Sequence, residues 1–142
     1  MKTTMLIALG LMTASSLRAQ KLKEADVPTA VKEAFRKSYP LAKQITWEHE
    51  SPNYEAGFKI EKTEYSAVYD SSGNLIETET GIRVDQLPAT ARTYIAKTYP
   101  NARISEAAKI TDANKVVSYE AELKGKDLIF DSTGAFVKEL AK

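Results

Sequence analysis

From Asp26 to its end, the chain is written twice. At a shift of 60 residues, Val27-Pro28 aligns with Leu87-Pro88, Lys37 with Lys97, Tyr39-Pro40 with Tyr99-Pro100, and Ala42 with Ala102. Five of sixteen aligned positions are identical, where chance gives roughly one. Farther on, Tyr54-Glu55-Ala56 answers Tyr119-Glu120-Ala121, and Tyr69-Asp70-Ser71-Ser72-Gly73 answers Phe130-Asp131-Ser132-Thr133-Gly134. The blocks keep their order and only the loop lengths differ. The chain therefore folds as two copies of one unit, at about residues 24–80 and 84–140, within one domain of residues 20–142.

Each copy opens with a helix. Over Pro28 to Ser38, the apolar residues Val27, Val31, Ala34, Phe35 and Tyr39 recur at helical spacing, and Leu87, Ala91, Tyr94, Ile95 and Tyr99 repeat the stripe. Asp26 is placed to cap the start, and Pro28 suits a first turn. Pro40 and Pro100 end both helices, because proline lacks an N–H and pushes the preceding Tyr out of helical geometry.

The remainder of each copy alternates with period two, the pattern of strands covered on one face. The first copy predicts strands near Gln44 to Glu50, Asn53 to Ile60, Thr63 to Asp70 and Asn74 to Thr80. The second predicts them near Ile104 to Ile110, Lys115 to Leu123 and Lys126 to Phe130, with another after Gly134. Asp70-Ser71-Ser72-Gly73 and Asp131-Ser132-Thr133-Gly134 are hairpin turns, Asp bonding back to the backbone and Gly accepting positive φ. The expected fold class is α+β: two tandem units of a helix plus a four-stranded antiparallel meander, giving about eight strands in one continuous sheet with the helices on one face. Parity sends Tyr54, Ala56, Phe58, Tyr65, Ala67, Tyr69, Tyr119, Ala121, Leu123, Leu128 and Phe130 toward the helices. It turns Glu55, Lys59, Glu64, Ser66, Val68, Ser118, Glu120, Glu122, Asp127 and Ile129 the other way, onto a polar face with a few apolar interruptions.

Residues 1–19 read as an address. Lys2, the apolar run Met5 to Met12 and the small-residue stretch ending at Ala19 form the three parts of a secretory signal, with cleavage expected near Ala19/Gln20. The run is far shorter than the roughly 20 residues that span a bilayer. Without Lys2 and Arg18, the chain keeps 123 residues and a charge of −1. So balanced a charge argues against a nucleic-acid partner, which needs clustered Lys and Arg. The absence of Cys excludes thiol nucleophiles, disulfides, thiolate metal sites and a lipidated N-terminal Cys. The expected location is periplasmic or secreted, without stable membrane insertion.

No catalytic constellation stands in the sequence. It has no Gly-rich phosphate loop, no GxSxG elbow and no HExxH. His49, the single histidine, has only Trp47 and Glu48 for company and reads as a packed or solvated strand residue. Glu48/Glu50 and Glu77/Glu79 each share a strand face and could do acid and base work, but such pairs more often solubilise an open sheet. Asp70 with Asn74, and Asp112 with Asn114, lack the alternating oxygen ligands of a calcium loop and read as turns. No catalytic, cofactor-binding or metal-binding residue is expected.

The repeated string, apolar-Pro, then Tyr-Pro-x-Ala, Tyr-Glu-Ala and aromatic-Asp-x-x-Gly, resembles the PepSY-like periplasmic proteins related in fold to the β-lactamase inhibitor protein. The resemblance covers about Asp26 to the end and rests on structural motifs. It implies a tandem of helix-plus-sheet units whose open sheet face is concave; in the inhibitor that face grips an enzyme, and in protease propeptides the related module inhibits or chaperones a peptidase. A signal ending in Ala-Gln is also familiar from Bacteroidetes. The inhibitor has disulfides and this chain has no Cys, so β-lactamase inhibition is not carried over. The expected function is a non-enzymatic, exported binding or inhibitory module, meeting a protein partner, with an exported hydrolase as the candidate class, through Glu55, Lys59, Glu64, Val68, Glu120 and Glu122. The alternative is a small-ligand carrier or envelope sensor using space between helix and sheet near Trp47 and His49. Glu77, Glu79 and Lys138 are candidate edge charges, which favours a monomer.

Overall fold

The computed structural model describes residues 20–142. The expected signal sequence and its cleavage point lie outside or at the border of these residues. Nine strands follow one another across a single antiparallel sheet in chain order: β1 (Gln20–Leu22), β2 (Lys43–Glu50), β3 (Asn53–Ile60), β4 (Thr63–Tyr69), β5 (Leu75–Ile82), β6 (Glu106–Asp112), β7 (Val117–Leu123), β8 (Lys126–Asp131) and β9 (Phe136–Ala141). Helix α1 (Thr29–Ser38) precedes β2, and α2 (Ala89–Thr98) precedes β6. The strand count exceeds the expected eight by β1, which pairs Leu22 with Trp47 along the outer side of β2.

The two helices are built alike. Val31 and Phe35 of α1, and Ala91 and Ile95 of α2, are buried, together with Val27 and Leu87 just before each helix. Neither helix has a side-chain cap: Asp26, expected as the cap of α1, instead ends a 3-10 turn. Pro28 takes the cap position, and its carbonyl accepts from Val31 and Lys32 at 3.0 and 3.1 Å. The far ends obey the proline rule. Tyr39 and Tyr99 leave helical geometry at φ −129° and −130°, while their N–H groups still donate to Phe35 and Ile95 at 2.8 Å.

Two cores form on the helix side of the sheet. In the first, Phe35 meets Trp47 and Phe58 edge-on with ring centroids 5.3 and 5.0 Å apart, above Ala56 and Ala67. In the second, α2 packs on Ala107, Ala121, Leu123, Leu128 and Phe130. Register links the two: Trp47 faces Ala56, Ala56 faces Ala67 and Ala67 faces Thr78, then Thr78 faces Thr111 across the β5–β6 junction. Directly paired residues share a face, so both helices lie on the same side. The other side has no covering layer among the described residues.

Topology corrects one expectation. Glu77 and Glu79 lie on β5, the central strand of the nine, and not at an edge. Of the three expected edge charges only Lys138, on β9, borders the sheet.

Candidate protein-binding face

All six residues singled out for partner contact reach the bare side. Glu55, Lys59, Glu64 and Val68 come from β3 and β4, Glu120 and Glu122 from β7. Between these two groups, β5 and β6 insert Glu77, Glu79, Ala108 and Ile110. The sequence reading took Glu77 and Glu79 as solubilising charges rather than contacts, and missed Ala108 and Ile110. Continuing strand parity through β5 and β6 would have found them.

The rows that run across the strands show how the face is composed. One row reads Glu48, Glu55, Val68, Glu77, Asp112; the next reads Gly57, Ser66, Glu79, Ile110, Ser118; a third reads Gly81, Ala108, Glu120, Ile129, Lys138. Val68, Ala108, Ile110 and Ile129 are buried although no layer covers them. Their neighbours on the face shield them. Gly57 and Gly81 leave a hollow of about 260 Å³, also lined by Glu55, Glu79, Ala108 and Glu120.

The carboxyl groups here are half-buried and crowded. Glu79 is pushed up to about 8, by burial first and then by Glu120, Glu55, Glu77 and Asp127. Glu55 rises to about 7 through burial and then Glu50 and Glu48, against a hydrogen bond from Ser66. Burial and then Asp127 raise Glu120 to about 7, with Lys142 pulling the other way. Glu77 and Glu50 are raised for the same leading reason, loss of solvent, followed by neighbouring carboxylates. Ion pairs sit at the margins. Lys59 reaches Glu64 at 3.2 Å, and Lys142 bridges Glu122 and Asp127 at 2.5 and 3.1 Å. Among the described residues no Lys or Arg nitrogen comes within 4.0 Å of the carboxyl groups of Glu55, Glu77, Glu79 or Glu120.

The other candidates resolve into structure. Asp70 Oδ1 accepts the N–H groups of Ser72 and Asn74, both at 2.9 Å, and Asp112 Oδ1 accepts those of Asn114 and Val116 at 2.8 and 2.9 Å. These carboxylates hold turns. Among the described residues no three His, Asp or Glu side chains converge as a metal site would require. Trp47 is buried against Phe35, and the His49 and Tyr54 ring centroids lie 5.2 Å apart.

Fold and face together define a duplicated two-layer α+β protein with one helix-covered and one bare, acidic sheet surface. The family described as "Putative beta-lactamase-inhibitor-like, PepSY-like" matches residues 13–77 and again residues 54–138, and the chain belongs to it. Three solved Bacteroides structures share the fold. A "putative periplasmic" protein of Bacteroides eggerthii aligns at TM-score 0.72 and 15% identity, covering 81% of this chain and 88% of its own. A DUF2874 family protein of Bacteroides uniformis gives 0.70 and 18%, with 80% and 88% covered. A BLIP-like protein of Bacteroides fragilis gives 0.63 and 24%, with 80% and 86% covered. None of the curated proteins matches the chain. No helix among the described residues is long and apolar enough to cross a membrane.

Proposed function

We propose that this protein is an exported, non-enzymatic module that engages a protein partner through the bare face of its sheet. The observation that carries the reading is the composition of that face. Buried Val68, Ile110 and Ile129 sit among half-buried carboxyl groups on a side with no layer over it. A surface needed only for solubility gains nothing from desolvating charges, whereas a surface completed by a partner recovers that cost on binding. The face is also too open to seclude a reacting group from water, which favours binding over catalysis. Contacts are assigned to Glu55, Lys59, Glu64, Val68, Glu120 and Glu122, now joined by Glu79 and Ile110.

Each helix with the four strands after it is taken as one copy of the duplicated unit, over residues 24–80 and 84–140. Residues 1–19 serve as the export signal, cleaved near Ala19/Gln20, and the module acts as a monomer in the periplasm or outside the cell. The periplasmic name of the Bacteroides eggerthii structure supports this location, and the family's inhibitor-like description supports the binding role.

The test is capture of exported proteins of the protein's own organism on the immobilised module. One saturable partner is expected with the wild type. It should be lost on joint alanine substitution of Glu55, Lys59, Glu64 and Val68, with Trp47 fluorescence unchanged. Capture that persists through these substitutions would refute the assignment of the face.

A further inference from the structure

We propose that the bare face selects a cationic partner segment, whose Lys or Arg side chains carry their charges into the hollow between Glu55, Glu79 and Glu120. The inference rests on the binding reading above and specifies the chemistry of the partner.

The first argument is segregation. The whole chain balances 20 Lys and Arg against 19 Asp and Glu, yet the bare face draws most of the acids to itself and few of the bases. Every strand from β2 to β8 contributes at least one carboxylate to it, whereas Lys21, Lys43, Lys59 and Lys138 are the strand cations on the same face, with Lys142 following β9. Such one-sided charge is a field that attracts positive and repels negative partners, so nucleic acid and anionic lipid are both disfavoured.

The second argument is register. Glu48 stands directly across from Glu55, Glu77 from Asp112, and Glu106 from Glu122. Directly opposed like charges destabilise a sheet. A sheet meant only to be solvated would set Lys against Glu throughout, as this face does only towards its first edge, at Lys21 and Glu48 and at Lys59 and Glu64. Among the described residues the central carboxyl groups of Glu55, Glu77, Glu79 and Glu120 have no Lys or Arg nitrogen within 4.0 Å, and an incoming cation would offset the solvent they have lost.

The third argument is shape. Gly57, Gly81 and Ala108 withdraw the floor of the hollow by having little or no side chain, while Glu55, Glu79 and Glu120 form its walls. Beside it the row residues alternate acid with aliphatic: Glu55, Val68, Glu77 in one row and Glu79, Ile110 in the next. A long basic side chain suits the hollow, since its slender methylene stem passes over the glycine floor while its charged head reaches the carboxyl walls. Chelation of a metal ion is the poorer use of these acids, because no three of them converge.

The experiment titrates the protein with a short lysine-rich peptide and, separately, with a glutamate-rich peptide of equal length, following binding by fluorescence anisotropy. The lysine peptide is expected to bind, more weakly as salt rises, and the glutamate peptide not to bind. The triple variant Glu55→Gln, Glu79→Gln, Glu120→Gln keeps the shape and removes the charge; it should bind the lysine peptide at least about tenfold more weakly. Glu33→Gln, on α1 at the opposite side, should bind as the wild type does. Equal binding of the two peptides, an unchanged triple variant, or an equal loss from Glu33→Gln would each overturn the proposal. A natural partner lost with the alanine variant but retained by the triple glutamine variant would sink the cationic class alone. A partner indifferent to both would sink the face itself.

Discussion

Gly73 and Gly134 show at single-residue scale why the sequence repeats where it does. Both sit in hairpin turns at φ +84° and +85°, and both press against the start of a helix. A Cβ on Gly73 would lie 2.6 Å from the Ala30 carbonyl oxygen, and one on Gly134 would lie 2.7 Å from Pro88 Cβ and 3.0 Å from Ala91 N. Gly125 has a similar φ of +79° with nothing within 4 Å of the added atom. Alanine at Gly125 is therefore expected to cost only the left-handed backbone term, about 1–2 kcal/mol. At Gly73 or Gly134 the helix start must also move, so urea denaturation should show a clearly larger loss than at Gly125. Equal losses at the three positions would mean that the turns do not brace the helices. The aromatic-Asp-x-x-Gly motif was legible in the sequence as a turn because its Asp and Gly act locally. Its docking against the helix was not, since that contact joins residues far apart in the chain.

At the scale of elements, local periodicity revealed the helices and faces, and topology held back the rest. Parity placed Tyr54, Ala56 and Phe58 with the helix and Glu55 and Lys59 away from it, because alternation is a property of each strand alone. Strand order is not, and Glu77 and Glu79 looked like edge charges only while β5 was taken as the end of a copy. Its pairing with β6, from Glu77 with Asp112 to Ile82 with Ala107, makes it the seam between copies. The three residues of β1 are too few to show a period. Asp26 failed as a cap because it ends a 3-10 turn and Pro28 takes the cap position. The continuous seam also bears on cooperativity, since it joins two cores that share no buried residue. Phe35→Ala in the first core should cost about 3–5 kcal/mol and Leu128→Ala in the second about 2–5 kcal/mol. If the seam couples the cores, Leu128→Ala will lower the unfolding midpoint read by Trp47 fluorescence as far as the one read by far-UV circular dichroism. A Trp47 midpoint that stays in place while the circular dichroism midpoint falls would show copies that unfold separately.

Across the whole molecule, the helix side supplies stability and the bare side spends part of it on crowded charge. The acidic content of that side was readable from strand parity, but its electrostatics were not. The raised carboxyls of Glu55, Glu79 and Glu120 depend on neighbours brought in from other strands and on the burial that the assembled sheet imposes. An unfolded chain returns these groups to the ordinary glutamate range near 4.5, so between about pH 4.5 and 8 the native state holds more protons than the unfolded state. In that window stability must fall as pH rises, because ionisation is easier after unfolding. The lowered carboxyls, Asp70 and Asp131 in their turns and Glu122 beside Lys142, act in the opposite sense, but only at lower pH, where the unfolded groups begin to bind protons. The urea midpoint is therefore expected to be higher at about pH 5.5 than at about pH 8. Glu79→Gln, which keeps the size of the side chain and removes its titration, should raise the midpoint at pH 8, leave it nearly unchanged at pH 5.5 and flatten the slope between them. A midpoint that climbs from pH 5.5 to 8, or a Glu79→Gln protein less stable than the wild type at pH 8, would show that these carboxyls are well solvated in the native state. It would also remove the electrostatic reason for expecting a partner on that side.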